Sequence, residues 1–226
     1  MATRYMTETA LDKIRSRIAA AQREQKVTLV AVSKTRSAAE VAELADQGQR
    51  VFGENYVQEA LGKQGELSER GLEWHLIGHL QSNKCREAAA AFDWIDSIDR
   101  AKLLAPLNRY RAEDRPALNL LLQVNIDDEN SKSGCAPDRV AGLAAAVQHY
   151  PRLRLRGLMA IPAPGDAAGR EAAFRRMLAL FQQLQSTYPD LDTLSMGMSD
   201  DFELAISHGA TQVRVGTALF GPRPAG

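Results

Sequence analysis

The sequence lacks any apolar run long enough to cross a membrane, and its first residues, MATRYMTETALDKIRSR, contain no signal-peptide core. We therefore expect a cytoplasmic protein without a membrane partner. The sequence also lacks an excess of either charge, because Lys plus Arg and Asp plus Glu each number 28. A chain without an overall basic field has little to attract nucleic acid, so no nucleic-acid partner is predicted.

Cysteine is scarce as well, since Cys85 and Cys135 are the only two and they stand far apart. Isolated cysteines lack the spacing of a zinc site, and reduced thiols fit a cytosolic chain. His75 and His79 are four residues apart, but the segment around them reads as a strand and a loop rather than a helix. The two imidazoles therefore do not favour a shared metal ion, and no metal site is predicted.

What the sequence does contain is a regular alternation of strand and helix patterns after a leading helix near residues 7–25, with Thr7 as its expected N-cap. The predicted strands are 28–33, 50–52, 73–77, 94–98, 118–125, 156–161, 193–197 and 212–216. The predicted helices between them are 37–47, 56–67, 83–91, 100–112, 136–148, 170–188 and 200–207. Such alternation indicates a parallel sheet.

Eight strand–helix units in 226 residues match a closed barrel. We predict an α/β fold: a single (β/α)8 TIM-type barrel domain, residues 1–226, with an extra N-terminal helix. No helix is predicted after the last strand, where the chain reads GPRPAG, so the leading helix is expected to cover that surface. The alternative is an open doubly wound sheet, for which eight strands would be many.

The segment VTLVAVSKTRS raises a question, because a strand buried on both faces leads directly to Lys34. Its ordinary explanation is a lysine that reaches solvent at a strand end. In a barrel, however, binding residues gather at the carboxyl ends of the strands. Those ends are Ser33-Lys34-Thr35, Gly53-Glu54-Asn55, Gly78-His79, Asp96-Ser97, Asn125, Met159-Ala160, Ser195 to Ser199, and Arg214 to Thr217.

Two of these ends resemble a cradle for a phosphate. In GMSDDFELA, Ser199 precedes a predicted helix, and in RVGTALFG, Gly216 and Thr217 lie where a backbone can approach a ligand closely. The ordinary explanations are an N-cap at Ser199 and a tight turn at Gly216. Barrels often bind phosphate with the loops after their seventh and eighth strands.

A lysine and a phosphate cradle at one mouth suit a phosphorylated aldehyde or ketone, because a neutral amine can form a Schiff base. Both bound pyridoxal phosphate and a cofactor-free aldolase acting on a sugar phosphate fit this chemistry. Arg214 would suit a pyridine nitrogen, to which it donates without transferring a proton. Alternatively, it is a strand arginine with a partner elsewhere.

The chain resembles the YggS/PROSC family of pyridoxal phosphate homeostasis proteins over nearly its whole length. The segments that carry this resemblance are LVAVSKT, FGENYVQEA, EWHLIGHLQSNK, NIDDENSKSG, RLRGLMAIP, LSMGMSDDFELAI and VRVGTALFG. The resemblance implies a barrel similar to the N-terminal domain of alanine racemase. It also implies pyridoxal 5'-phosphate (PLP) as the cofactor, bound to Lys34 as an internal aldimine.

The resemblance further assigns roles to other residues. It implies that Asn55 contacts the ring oxygen of PLP and that Arg214 faces the ring nitrogen. It implies that Ser199, Gly216 and Thr217 hold the phosphate.

The function implied is to bind, buffer and deliver PLP, with a role in vitamin B6 and amino-acid homeostasis and no enzymatic turnover. Expected partners are PLP itself and apo-forms of PLP-dependent enzymes, and the chain is expected to be a monomer. The alternative is a PLP-dependent enzyme similar to an amino-acid racemase.

The sequence departs from some relatives at residues that could act as a second amine. Arg36 stands where some relatives have a second lysine, and the final GPRPAG lacks the lysines that some relatives carry there. Lys132 remains as a candidate second amine, although a solvated loop lysine is the favoured explanation. These differences put in doubt a transfer step that uses a second amine.

Overall fold

The structure is a computed structural model that describes residues 8–127, 133–163 and 165–222. Within them, eight parallel strands close into a barrel, in which each strand pairs with the next and the last pairs with the first. The strands are β1 (Thr28–Val32), β2 (Val51–Glu54), β3 (Glu73–Leu76), β4 (Trp94–Ile98), β5 (Leu118–Val124), β6 (Leu153–Ala160), β7 (Thr193–Ser195) and β8 (Gln212–Val215). The predicted TIM-type barrel is confirmed, and the open sheet is wrong.

Helices of the described residues form the outer layer of the barrel. They are α1 (Ala10–Ala21), α2 (Ala38–Asp46), α3 (Val57–Glu66), α4 (Cys85–Ala91), α5 (Leu104–Tyr110), α6 (Val140–Val147), α7 (Ala167–Gln185), α8 (Phe202–Ser207) and α9 (Thr217–Phe220). Short 3-10 turns span Ser68–Arg70, Ser82–Lys84, Ala101–Leu103 and Pro137–Arg139. No helix in the described ranges is both long and apolar enough to span a bilayer.

The continuous apolar pattern of β1 follows from its position in this layered fold. Leu29, Val30 and Ala31 are all buried, because one face of the strand meets the barrel interior and the other meets the helices. The strand pairs with β8 from Thr28 opposite Gln212 to Ala31 opposite Val215. This register brings the carboxyl ends of the first and last strands together at one mouth.

The leading helix begins later than expected. Thr7 lies outside the described residues, and the N-cap is Thr9, whose hydroxyl accepts a hydrogen bond from the Asp12 N–H. The Asp12 carboxylate in turn accepts from the Thr9 N–H, which completes a capping box. A sequence pattern locates a helix more reliably than its first residue, because fraying ends depend on such local bonds.

The last strand is followed by a helix, so the expectation that none follows it is wrong. The helix, α9, is a single turn from Thr217 to Phe220, too short to give a periodic apolar pattern. The leading helix packs against both α8 and α9. Arg17 of α1 donates hydrogen bonds from both Nε and Nη2 to the Glu203 carboxylate, at 2.8 Å each.

Candidate functional site

A cleft of about 210 Å³ opens at the carboxyl ends of β1, β7 and β8. Five of the six predicted cofactor residues line it, together with Arg36. The lining residues are Val32, Lys34, Arg36, Met198, Ser199, Arg214, Gly216 and Thr217. Among these described residues there are three cationic side chains and two hydroxyls but no carboxylate.

This set of groups fits an anionic ligand that carries an aldehyde. Charged N–H donors and hydroxyls bind phosphate oxygens well, and a carboxylate in the lining would repel them. An amine at the same cleft can add to a carbonyl carbon. The residues present therefore suit PLP.

Lys34 follows the end of β1 by two residues and is half-buried at the cleft. Within the described part of the chain, its amine makes no hydrogen bond or ion pair. The residues on both sides are engaged, because Ser33 Oγ donates to Glu54 Oε1 at 2.6 Å and the Thr35 N–H donates to Glu59 Oε1. The strand end therefore delivers one amine to the cleft while its neighbours are bound to protein groups.

The loop after β7 supplies Ser199 to the cleft. Gly197 has a φ of +92°, and a Cβ there would lie 2.6 Å from Ala205 Cβ, so only glycine fits this turn. The helix α8 begins at Phe202 with Asp201 as its N-cap position, and Asp201 Oδ1 accepts a hydrogen bond from the Met198 N–H at 2.7 Å. Ser199 is therefore not the helix cap that the sequence suggested.

The segment after β8 supplies Gly216 and Thr217. A Cβ on Gly216 would lie 3.3 Å from the Val32 side chain and from its carbonyl oxygen, so the first and last strands approach closely here. Because α9 begins at Thr217, its first N–H groups have no partner inside the helix. Those N–H groups and the Thr217 hydroxyl are suitable donors for a phosphate.

Arg214 is buried beneath the cleft and held from inside the barrel. Its Nη1 donates to Ser195 Oγ at 2.6 Å, and its Nη2 donates to the Ala160 carbonyl at 2.8 Å. Burial lowers the pKa of Arg214 to about 10, against the opposing charges of Asp96 and Asp201, so it is cationic at neutral pH. Arg214 therefore has protein partners and also lines the cleft, and its role toward a pyridine nitrogen stays a prediction.

Asn55 lies apart from the other predicted residues, in a neighbouring cleft of about 470 Å³. That cleft is also lined by Tyr56, Val57, Gln58, Gly78, His79, Gln81 and Lys84. A Cβ on Gly78 would lie only 2.2 Å from the Asn55 carbonyl oxygen, so the backbones after β2 and β3 touch. Only a ligand that reaches from one cleft toward the other would contact both Lys34 and Asn55.

Arg36 is buried and bound to other parts of the chain. Its guanidinium pairs with Glu40 at 3.1 Å and donates to the carbonyls of Gly221 and Pro222. It thus ties the segment after α9 to the mouth. Lys132 lies outside the described residues, and no cluster of three metal-ligating side chains occurs within the described part of the chain.

Sequence reasoning missed a polar network inside the barrel. The His75 ring donates to Glu73 at 3.0 Å and to Asp96 at 3.1 Å, and Gln212 Nε2 donates to Asp96 Oδ2 at 2.6 Å. The same Gln212 amide donates to Ser195 Oγ, which also accepts from Arg214. A continuous hydrogen-bonded path therefore connects the opposite end of the barrel with the cleft. The sequence held one indication of this network, namely that a histidine, an aspartate and a glutamine interrupt otherwise apolar strands.

The His75–Asp96 pair makes stability depend on pH. Burial alone lowers the pKa of His75, but the charge of Asp96 and hydrogen bonds to Asp96 and Glu73 outweigh it and raise the pKa from 6.5 to about 9. A raised folded-state pKa contributes stability that is complete below pH 6.5 and is lost as the pH rises through 9. We expect the free energy of unfolding to fall by about 3 kcal/mol across this window.

Urea unfolding at intervals from pH 6.5 to 9 measures this change, with His75 ring signals followed by NMR in parallel. In an Asp96→Asn variant the pKa of His75 is expected to fall, which moves the loss of stability to lower pH. A flat profile, or a His75 ring that titrates near its ordinary pKa, would contradict the assignment.

The family described as alanine racemase, N-terminal domain, matches residues 9–224. The pyridoxal phosphate homeostasis protein of Escherichia coli strain K12 is 52% identical over 222 residues, which cover 94% of this chain and 95% of the relative. The protein of the same name from Pseudomonas aeruginosa is 55% identical over 201 residues, 88% of this chain and 86% of the relative.

Among solved structures, PipY of Synechococcus elongatus PCC7942, with PLP bound, is 40% identical and superposes with a TM-score of 0.82. The superposition covers 94% of this chain and 98% of PipY. The similarity thus extends over nearly the full length of both proteins.

Proposed function

Because the chain belongs to the family of pyridoxal phosphate homeostasis proteins, we propose that it binds PLP at the cleft that contains Lys34. One observation carries the proposal. The amine of Lys34, without a partner among the described residues, shares a cleft with cationic and hydroxyl donors and with no described carboxylate. The PLP-bound structure of the similar PipY supports the same cofactor.

In this proposal Lys34 holds the cofactor covalently, as an internal aldimine. Ser199, Thr217 and the backbone at Gly216 bind the phosphate, because their hydroxyl and N–H donors lie on the two loops that border the cleft. Arg214 donates to the ring nitrogen and keeps it unprotonated, since an arginine keeps its own proton. Asn55 contacts the ring oxygen from the neighbouring cleft.

The bound PLP supplies an aldehyde that condenses with amines and a ring that can accept electrons. Racemisation needs a group on each face of the substrate that alternates between acid and base. Among the described residues of the cleft, Lys34 alone has a side chain of that kind, because arginine, serine, threonine and methionine do not exchange protons near neutral pH. We therefore propose a carrier and regulator of PLP, without enzymatic turnover, in preference to a racemase-like enzyme.

Such a carrier serves cofactor supply in the cytoplasm by holding reactive aldehyde and releasing it to apo-forms of PLP-dependent enzymes. Amino-acid pools depend on those enzymes, so a loss of the carrier would disturb them. We propose that the chain acts as a monomer, with the mouth open to solvent and to recipient enzymes.

Reduction of the protein with borohydride in the presence of PLP tests the proposal. We expect one cofactor adduct by intact mass and its location on Lys34 by peptide mapping. No racemisation of amino acids above that with free PLP is expected in long incubations with chiral analysis. Turnover well above free PLP would favour the racemase, and trapping of sugar phosphates but not PLP would favour an aldolase. A protein that gains no PLP adduct would contradict the proposed function.

A further inference from the structure

A buried charge cluster holds the residues on both sides of Lys34. It consists of Ser33 and Thr35, which flank the lysine, and of Glu54, Glu59 and Lys63, which come from β2 and α3. We call it the Lys63 cluster. Lys63 is only 5% exposed, although a lysine on a surface helix normally extends to water.

All three N–H donors of the Lys63 ammonium have an acceptor. The distances from Nζ are 2.6 Å to the Ser33 carbonyl, 2.7 Å to Glu54 Oε1 and 2.7 Å to Glu59 Oε1. Its two carboxylate partners also accept hydrogen bonds from the residues that flank Lys34. Ser33 Oγ donates to Glu54 at 2.6 Å, and the Thr35 N–H donates to Glu59 at 2.5 Å.

The turn that these bonds hold is strained. Thr35 has a φ of +62° and is the one described residue other than glycine with a positive φ. A β-branched side chain disfavours this region, so the conformation persists only where surrounding contacts impose it. The Ser33 N–H donates to Gly53 and the Arg36 N–H donates to Ser33, so the backbone is held before and after Lys34 as well.

The stability of the fold does not by itself explain why a buried charge cluster is present here. Burial raises the pKa of Glu54 against the hydrogen bonds from Lys63 and Ser33, and Glu54 Oε2 is buried without a partner in the described part of the chain. Apolar side chains of similar volume often stabilise a protein as well as a buried ion pair does. What apolar side chains cannot do is bind the Ser33 carbonyl and orient an acceptor toward the Thr35 N–H.

We propose that Lys63 is a positioning residue for Lys34. Lys63 binds the Ser33 carbonyl directly, and it holds Glu59 where that carboxylate accepts from the Thr35 N–H. These bonds impose the turn from which the Lys34 amine enters the cleft. This inference rests on the proposed function, since the consequence of correct positioning is the reaction of Lys34 with PLP.

The test compares how fast Lys34 forms its borohydride-trapped PLP adduct in a Lys63→Met variant and in the unaltered protein. Relaxation of a strained turn allows other orientations of the amine, so we expect adduct formation to slow roughly tenfold. Binding of pyridoxine 5'-phosphate, which has an alcohol in place of the aldehyde, is expected to change less than twofold or so, because the phosphate loops are untouched.

Arg111→Met is the matched control. Arg111 is a second buried cation, bound to the carbonyls of Ala89, Phe92 and Pro116, away from the cleft. The Arg111→Met variant is expected to lose about as much stability toward urea as Lys63→Met does, yet to form the adduct at the rate of the unaltered protein. If Arg111→Met slows the reaction equally, general destabilisation explains the effect and the positioning role is wrong.

Glu59 provides variants that keep the ammonium. Its side chain is 25% exposed, so replacement is compatible with folding. In Glu59→Gln an amide oxygen can still accept from the Thr35 N–H, whereas in Glu59→Ala nothing replaces it. We expect the alanine variant to react more slowly and the glutamine variant to stay close to the unaltered protein.

The outcomes separate the two proposals. An unaltered protein that forms no PLP adduct overturns the proposed function and this inference with it. An unaltered protein that reacts, together with folded Lys63→Met and Glu59→Ala variants that react equally fast, overturns only the positioning role.

Discussion

Replacement of Lys34 with alanine is expected to abolish the borohydride-stable PLP adduct. The cleft offers no other described lysine, since its remaining cations are Arg36 and Arg214, and a guanidinium does not form a stable Schiff base under these conditions. The phosphate donors Ser199 and Thr217 are unchanged in the variant. PLP should therefore still bind reversibly, more weakly and without the absorbance of a protein-bound Schiff base.

Intact mass after reduction measures the adduct, and a titration of the PLP absorbance measures reversible binding. Lys84→Ala is the matched control, because Lys84 lines the neighbouring cleft at the same mouth. We expect this variant to keep a full adduct on Lys34. If Lys34→Ala still gains one PLP per chain after reduction, the covalent site lies elsewhere.

Replacement of Asp96 with leucine is expected to lower the free energy of unfolding by about 3–5 kcal/mol, the usual cost of removing one partner of a buried charge pair. Asp96 is fully buried and accepts hydrogen bonds from His75 and Gln212. The leucine would leave a buried imidazolium beside it, and the Gln212 amide would keep only Ser195 as an acceptor. The pKa of His75 would then fall, because burial lowers it and Glu73 alone remains to oppose that effect.

Urea unfolding near pH 7 measures the loss, and two further variants identify its cause. Glu73→Gln removes the other carboxylate that contacts His75. Because the Glu73 side chain is 45% exposed, this change should lower the free energy of unfolding by less than about 1 kcal/mol. The double variant His75→Leu with Asp96→Leu removes both buried charges and should be more stable than the sum of the single variants predicts. Additive losses would show that the two side chains do not act as a pair.

Much of the fold could be read from the sequence. The predicted strand 94–98 agrees with β4 at both ends, and 28–33 exceeds β1 by one residue. A continuous run of apolar residues indicates a strand that is buried on both faces, and this pattern is local to each strand. Boundaries were less accurate where polar residues interrupt the period. Strand β6 begins at Leu153 rather than at 156, because exposed Arg154 alternates with buried Leu153 and Leu155 at the start of the strand.

The candidate cleft was also predictable in its main parts. Once the strands are parallel and consecutive, their carboxyl ends must share one mouth, so Lys34, Ser199, Arg214, Gly216 and Thr217 had to lie on the same side of the barrel. Their common cleft follows from the closure of β8 on β1. Asn55, which follows β2, lies one cleft away, and chain order could not distinguish a shared cleft from adjacent ones.

The sequence by itself therefore determined the barrel, its direction and the mouth at which Lys34 emerges, because these depend on periodicity and on the order of elements. Only the tertiary structure decided which charges lie beneath that mouth. Gln212 and Asp96 are 116 positions apart, and Lys63 and Ser33 are 30 apart, yet each pair is hydrogen-bonded. Such bonds depend on which side chains face each other within the closed barrel and between its strands and helices. The pattern of residues along one sequence does not show which side chains face each other in the folded barrel.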